Sequence, residues 1–233
     1  MVFLQKIGKA IKIPIMRSLL LGIVSLSFMS ALAETSTLEE GKDYIILKTS
    51  IPNADKTLTE VISYRCIHCY NHHRIRTLEQ LRAKIPNITY NLLHTNWGQS
   101  YHKELNALFA YAQLQDSKEG KDASDKTSLT NQLATAYFQS YFEKRENLEE
   151  EEKREQFMKI GLDILRISQA KLDSFLTTKE AQDLLKNYQI GDEIAKNYGT
   201  PAFVVNGKYQ IHPSAFDSVD VLAVIVEELL KKP

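Results

Sequence analysis

Leu58-Thr59-Glu60-Val61-Ile62-Ser63-Tyr64-Arg65-Cys66-Ile67-His68-Cys69 decides how this chain is read. Its first half has the β-branched and aromatic content of a buried strand. Beyond the cysteines, Ile75, Leu78, Leu81 and Ile85 recur at spacings of three and four. That period predicts one amphipathic helix, starting at the cysteine pair and stopping before Pro86. Ile88 to His94 reads as the next strand. Strand, helix and strand in so short a span predict a βαβ unit with a right-handed crossover. The cysteines therefore sit where a buried strand hands over to a helix N-terminus.

Outward from this unit, Tyr44 to Leu47 is a short strand-like run, followed by the polar turn Pro52 to Asp55. C-terminal to the unit the period becomes helical. Leu105, Leu108, Phe109 and Ala112 make one apolar face. After a polar loop from Asp116 to Ser128, Leu133, Tyr137, Phe138, Tyr141 and Phe142 make a second. The charged run Glu143 to Glu155 reads as a solvated helix surface. Thr177 and Glu180 form a capping-box pattern opening a further helix. The end of the chain returns to β. Ala202 to Val205 and Lys208 to Ile211 flank Asn206-Gly207, a strong two-residue hairpin signal. A last helix runs from Val219 to Leu230. The predicted class is α/β, ordered β-β-α-β, a helical block, then β-β-α. The expected division is 34–100 with 190–233 as one domain and 101–189 as an all-helical insertion.

Charge is balanced over 233 residues, 29 Lys and Arg against 29 Asp and Glu, but it is unevenly placed. Residues 1–33 carry Lys6, Lys9, Lys12 and Arg17 and no acid, so the remainder is mildly acidic. That leaves no electrostatic footprint for nucleic acid, and no P-loop or GxGxxG is present. The basic segment to Arg17, the apolar run Ser18 to Met29 and Ala31-Leu32-Ala33 read as a secretory signal cleaved after Ala33, with Met16 an alternative start. An uncleaved anchor is the competing reading, but the apolar run is shorter than the roughly 20 residues a bilayer takes.

An exported chain meets conditions in which disulfides persist, yet this one has two cysteines only. A loop closed by Cys66 and Cys69 is too short to stabilise a fold much through chain entropy. Chemistry or metal is the stronger explanation. At a helix N-terminus the free N–H groups and the macrodipole favour an anion at Cys66, and Arg65 and His68 add positive charge or a donor. A stabilised thiolate is the reactive form. Cys69, one turn deeper, is placed to attack a mixed disulfide on Cys66. The metal alternative adds His72 and His73 to the two cysteines. Four ligands on one helix start poorly surround a tetrahedral ion, and structural zinc sites usually draw a second pair from elsewhere. Tyr70 after the second cysteine excludes c-type haem attachment. Far along the chain, Thr200-Pro201 precedes the hairpin strand; X-Pro is where a cis bond is cheap, although proline is also allowed at a strand's first residue.

Taken together, Gly41 to Tyr44, Glu60, Cys66 to Tyr70, His94 and Gly199-Thr200-Pro201-Ala202-Phe203-Val204-Val205-Asn206-Gly207-Lys208-Tyr209-Gln210 resemble the DsbA-like periplasmic thiol:disulfide interchange proteins of the thioredoxin superfamily. The resemblance implies a thioredoxin-like fold with a helical insertion. It implies Cys66 as nucleophile, Cys69 as resolving thiol, a Cys66–Cys69 disulfide as the redox centre with no other cofactor, and His68 supporting the thiolate. Thr200 and a cis Pro201 would face the substrate, and Glu60 would be a buried acid beneath Cys69. It also implies unfolded exported clients, a quinone-linked membrane reoxidant of the DsbB type, no nucleic-acid partner and a monomer. Ile67 stands where proline is often found, Ile88 to His94 offers no lysine for Glu60, and threonine precedes Pro201. The expected activity is donation of the disulfide to exported proteins. An isomerase or reductase is the alternative, although no room precedes the first strand for the dimerisation domain such isomerases carry. A metal-binding or chaperone-like module is the non-enzymatic alternative.

Overall fold

The computed structural model describes residues 38–95, 102–145 and 151–233, within one compact unit spanning Thr37–Pro233. The expected leader, residues 1–33, lies outside the described residues. The elements in chain order are β1 (Tyr44–Ile46), β2 (Thr57–Ile62), α1 (Ile67–Arg74), α2 (Thr77–Lys84), β3 (Thr89–His94), α3 (His102–Lys118) and α4 (Leu129–Phe138). A π-helical turn (Gln139–Glu143), α5 (Glu151–Leu165), α6 (Gln169–Leu176), α7 (Lys179–Tyr198), β4 (Ala202–Val205), β5 (Tyr209–Ile211) and α8 (Val219–Leu230) follow. The sheet order is β1-β5-β4-β2-β3, with β2 and β3 parallel and the other pairs antiparallel. This is the expected α/β arrangement, with helices α3 to α6 entering between β3 and β4.

Every residue of β2 is buried, the polar Thr57, Thr59 and Glu60 included, because the strand is paired on both edges, by β4 and β3. The hairpin forms at the expected dipeptide: Asn206 and Gly207 have φ of 52° and 63°, and the Lys208 N–H donates to the Val205 carbonyl. On one face α7 crosses the sheet with Gly191 set beside Leu93 and Val61. α8 packs against β4 and α2.

Three local expectations give way. The helix predicted to run on to Pro86 is two helices, broken where Arg76 adopts a left-handed φ of 60°. Ile75, counted in the apolar stripe, ends α1 and is 56% exposed, so the period crossed a turn. The capping box fails because Thr177 closes α6, and it is Thr178 whose hydroxyl accepts from the Ala181 N–H to open α7. The division expected at 189/190 falls inside α7, one continuous helix packed on α3 as well as on β2, β3 and β4.

Candidate active site

Cys66 is the N-cap of α1, with extended backbone (φ −85°, ψ 113°), and its sulfur accepts the Cys69 N–H at 3.1 Å. A thiol here stands in for the Ser, Thr or Asp that commonly satisfies a helix's first free N–H groups. The structure holds the pair as free thiols, and in this form the Cys66 S–H donates to the Thr200 carbonyl at 3.1 Å. Thr200 and Pro201 are joined by a cis bond. Residues 134 positions apart thus meet at one sulfur.

The two sulfurs differ sharply. Cys66 is half-buried, and its ionisation is drawn down to about 6, first by hydrogen bonding from the Cys69 thiol. Burial opposes this; the Thr200 side chain and the backbone N–H groups of Cys69 and His68 assist it. Cys69 is completely buried, and its thiol is pushed well above its ordinary value by burial, then by its bond to Cys66 and that neighbour's charge. One sulfur is therefore a thiolate at neutral pH and the other a thiol.

Glu60 lies on the β2 face covered by α1 and α2. Its partners across the sheet are Leu92 on β3 and Phe203 on β4, so no cation stands beside it in either register. It is 5% exposed, and its Oε1 has no hydrogen-bond partner among the described residues. Burial first, and the Cys66 charge second, push its carboxyl up to about 8, so it holds its proton at neutral pH. Glu60 in turn raises Cys69, which places the acid in electrostatic reach of both sulfurs.

Other expected participants are placed differently. The Arg65 Nε donates to the Tyr141 hydroxyl at 3.1 Å, and its guanidinium lies 5.6 Å from that ring's centre. Its charge is occupied there rather than on the sulfur. His68 reaches Cys66 through its backbone N–H, while its exposed side chain lines a groove of about 440 Å³ with Thr200, Pro201, Ile75 and Phe216. His72 Nδ1 and His73 Nε2 pair with the hydroxyls of Thr77 (3.1 Å) and Thr135 (2.7 Å). Among the described residues no three His, Cys, Asp or Glu side chains group as a metal site would need. His94 is a core residue, stacked on Phe109 and Tyr64 and paired through Nδ1 with Asn106. The sequence reading missed the π-helical turn. It presents Tyr141 to Arg65, Phe142 to the Tyr70 ring and Glu143 to the Tyr70 hydroxyl at 2.7 Å. π-turns often mark functional sites, but their i→i+5 bonding leaves no mark in a 3.6 period.

No protein-family profile matches the chain. It is 34% identical over 197 residues to the thiol:disulfide interchange protein DsbL of Lelliottia amnigena, covering 84% of this chain and 89% of that one. A crystal structure of DsbL from Salmonella enterica serovar Typhimurium superposes with a TM-score of 0.74 at 32% identity, over 85% of this chain and all of that one. The DsbA of Proteus mirabilis, at 19% identity and a TM-score of 0.58 over 84% of this chain and 98% of that one, shares the fold.

Proposed function

Because the chain belongs to the family of thiol:disulfide interchange proteins that includes DsbL and DsbA, we propose that this dithiol–disulfide oxidoreductase works as an oxidase, donating the Cys66–Cys69 disulfide to exported client proteins. The observation that carries the reading is the split between the two thiols, about 6 at the accessible sulfur and strongly raised at the buried one. Stabilising the Cys66 thiolate stabilises the dithiol form, which makes the disulfide the better electron acceptor.

The steps follow from the geometry. A client thiolate attacks the Cys66 sulfur of the disulfide; a client–Cys66 bond forms, the Cys66–Cys69 bond breaks, and its electron pair leaves on Cys69. Buried Cys69 disfavours that charge, and protonated Glu60 supplies the proton, becoming a carboxylate. A second client thiolate then attacks the client sulfur and expels Cys66 as the stable thiolate. The client leaves oxidised by two electrons, and the dithiol is returned to the disulfide by a membrane-bound, quinone-linked reoxidant. The dithiol is itself the redox centre and no other cofactor enters.

Clients would lie across the groove beside His68, their backbone meeting the Thr200–Pro201 segment as an added strand. The leader-like residues 1–33 support a periplasmic location, and no helix among the described residues is long and apolar enough to cross a membrane. Equilibration with glutathione redox buffers tests the direction. An oxidase requires the dithiol to dominate in buffers that leave an ordinary structural disulfide formed. A disulfide that persists under strongly reducing buffer would instead assign the protein to reduction or isomerisation.

A further inference from the structure

Gln210 is fully buried in the three-residue strand β5, a position where an apolar side chain would fill the same space. A buried amide is costly unless its groups are bonded, and both of its groups are. Its Oε1 accepts from Asn197 Nδ2 at 2.7 Å, and its Nε2 donates to the Ile194 carbonyl at 3.3 Å. Both partners lie in the closing turns of α7, which ends at Tyr198. The backbone of Gln210 meanwhile pairs with Val204 of β4. Between the end of α7 and the start of β4 run only Gly199, Thr200 and Pro201. One residue therefore holds the segment from both ends, by its side chain before it and by its main chain after it.

Thr200 in this segment meets the Cys66 sulfur with its carbonyl at 3.1 Å and supports the thiolate with its side chain. Hydrogen bonds weaken steeply with length and angle, so a helix end free to fray would spoil both contacts. We propose that the Gln210–Asn197 pair is a clamp that sets Thr200 against Cys66, which makes Gln210 a positioning residue for disulfide exchange. This rests on the assignment of Thr200 to the Cys66 sulfur given above.

The test uses the whole protein carrying Asn197→Ala, an exposed change that leaves the core intact, or Gln210→Leu. The readouts are the pH titration of Cys66 thiolate absorbance and the equilibrium with glutathione. Both variants should move the ionisation upward and shift the glutathione equilibrium about three- to tenfold toward the disulfide form, one pH unit of ionisation corresponding to a factor of ten. Val226→Ala, which hollows the buried face of α8, should lower stability and leave the titration in place. Thr200→Val should raise the ionisation in the parent and add little in Gln210→Leu, because the clamp and the contact act in series. Unchanged Cys66 titration in both clamp variants overturns the proposal, as does a full Thr200→Val effect in Gln210→Leu. Clamp variants that shift Cys66 while Thr200→Val in the parent does nothing would also overturn it, because the Thr200 carbonyl accepts from the thiol and does not stabilise the thiolate.

Discussion

A thiol that ionises near pH 6 beside one that resists ionising gives the two cysteines separate fates on mutation. Cys66→Ser should abolish disulfide transfer. Cys69→Ser should accumulate mixed disulfides with clients through Cys66, visible as adducts that a reductant removes; adducts through Cys69 in the reciprocal variant would reverse the roles. Glu60 makes a prediction about pH. Its carboxyl is raised to about 8 in the folded protein against 4.5 ordinarily. The unfolded chain loses that proton first, so the stability tied to it is complete below about pH 4.5 and drains away as pH rises toward 8. The slope in that window approaches ~1.4 kcal/mol per pH unit. Glu60→Gln should flatten the decline, so denaturant midpoints of variant and parent should diverge from pH 5 to pH 8 in the variant's favour. The same change should slow client oxidation most at neutral pH, where the parent acid still carries its proton.

Between residues and the whole, turns and caps carry the sharpest expectations. A Cβ at Gly207 would lie 2.5 Å from the Ile51 carbonyl oxygen and 2.7 Å from the Ala54 Cβ, at a φ that side chains rarely adopt. Gly207→Ala should therefore cost ~2 kcal/mol or more in a denaturant titration, from turn strain and crowding together. That hairpin, its dipeptide and α8 were legible because each is written in short-range chemistry: two residues that tolerate positive φ, and an apolar stripe opened by Ser218. The cysteine pair and Thr200-Pro201 were legible as motifs. The break at Arg76 was not, because the apolar spacing runs straight across it and only tertiary packing turns Ile75 outward. Nor was the fate of Arg65, whose partner Tyr141 is 76 positions away on a turn that local periodicity does not report. Gln210 lay in plain view in a quoted motif, yet its role depends on a helix end that no local pattern brings to it.

For the molecule as a whole, redox state and stability are linked through Cys66. Its ionisation in the folded dithiol is depressed from 9.0 to about 6, so the stabilisation is complete above about pH 9 and is lost as pH falls through 6. Solvent screening at a half-buried sulfur discounts the full shift to ~2 kcal/mol. At pH 7 to 8 the dithiol form should accordingly unfold at a higher denaturant concentration than the disulfide form, and the difference should shrink below pH 6. A more stable disulfide form at pH 8 would remove the basis for an oxidase. The 134 positions separating Cys66 from Thr200 also carry a consequence for the order in which the site is made. A chain emerging from its N-terminus presents both cysteines long before β4, β5 and α8 exist to cover them. In that interval Cys69, fully buried at the end, is open to any oxidant or alkylating agent, and neither thiol yet has its adult acidity. Nascent or truncated chains ending before residue 199 should therefore be alkylated at both cysteines at similar rates, and the hundredfold or greater discrimination between them should arrive only with the last segment of the protein, about two pH units or more of ionisation being at stake.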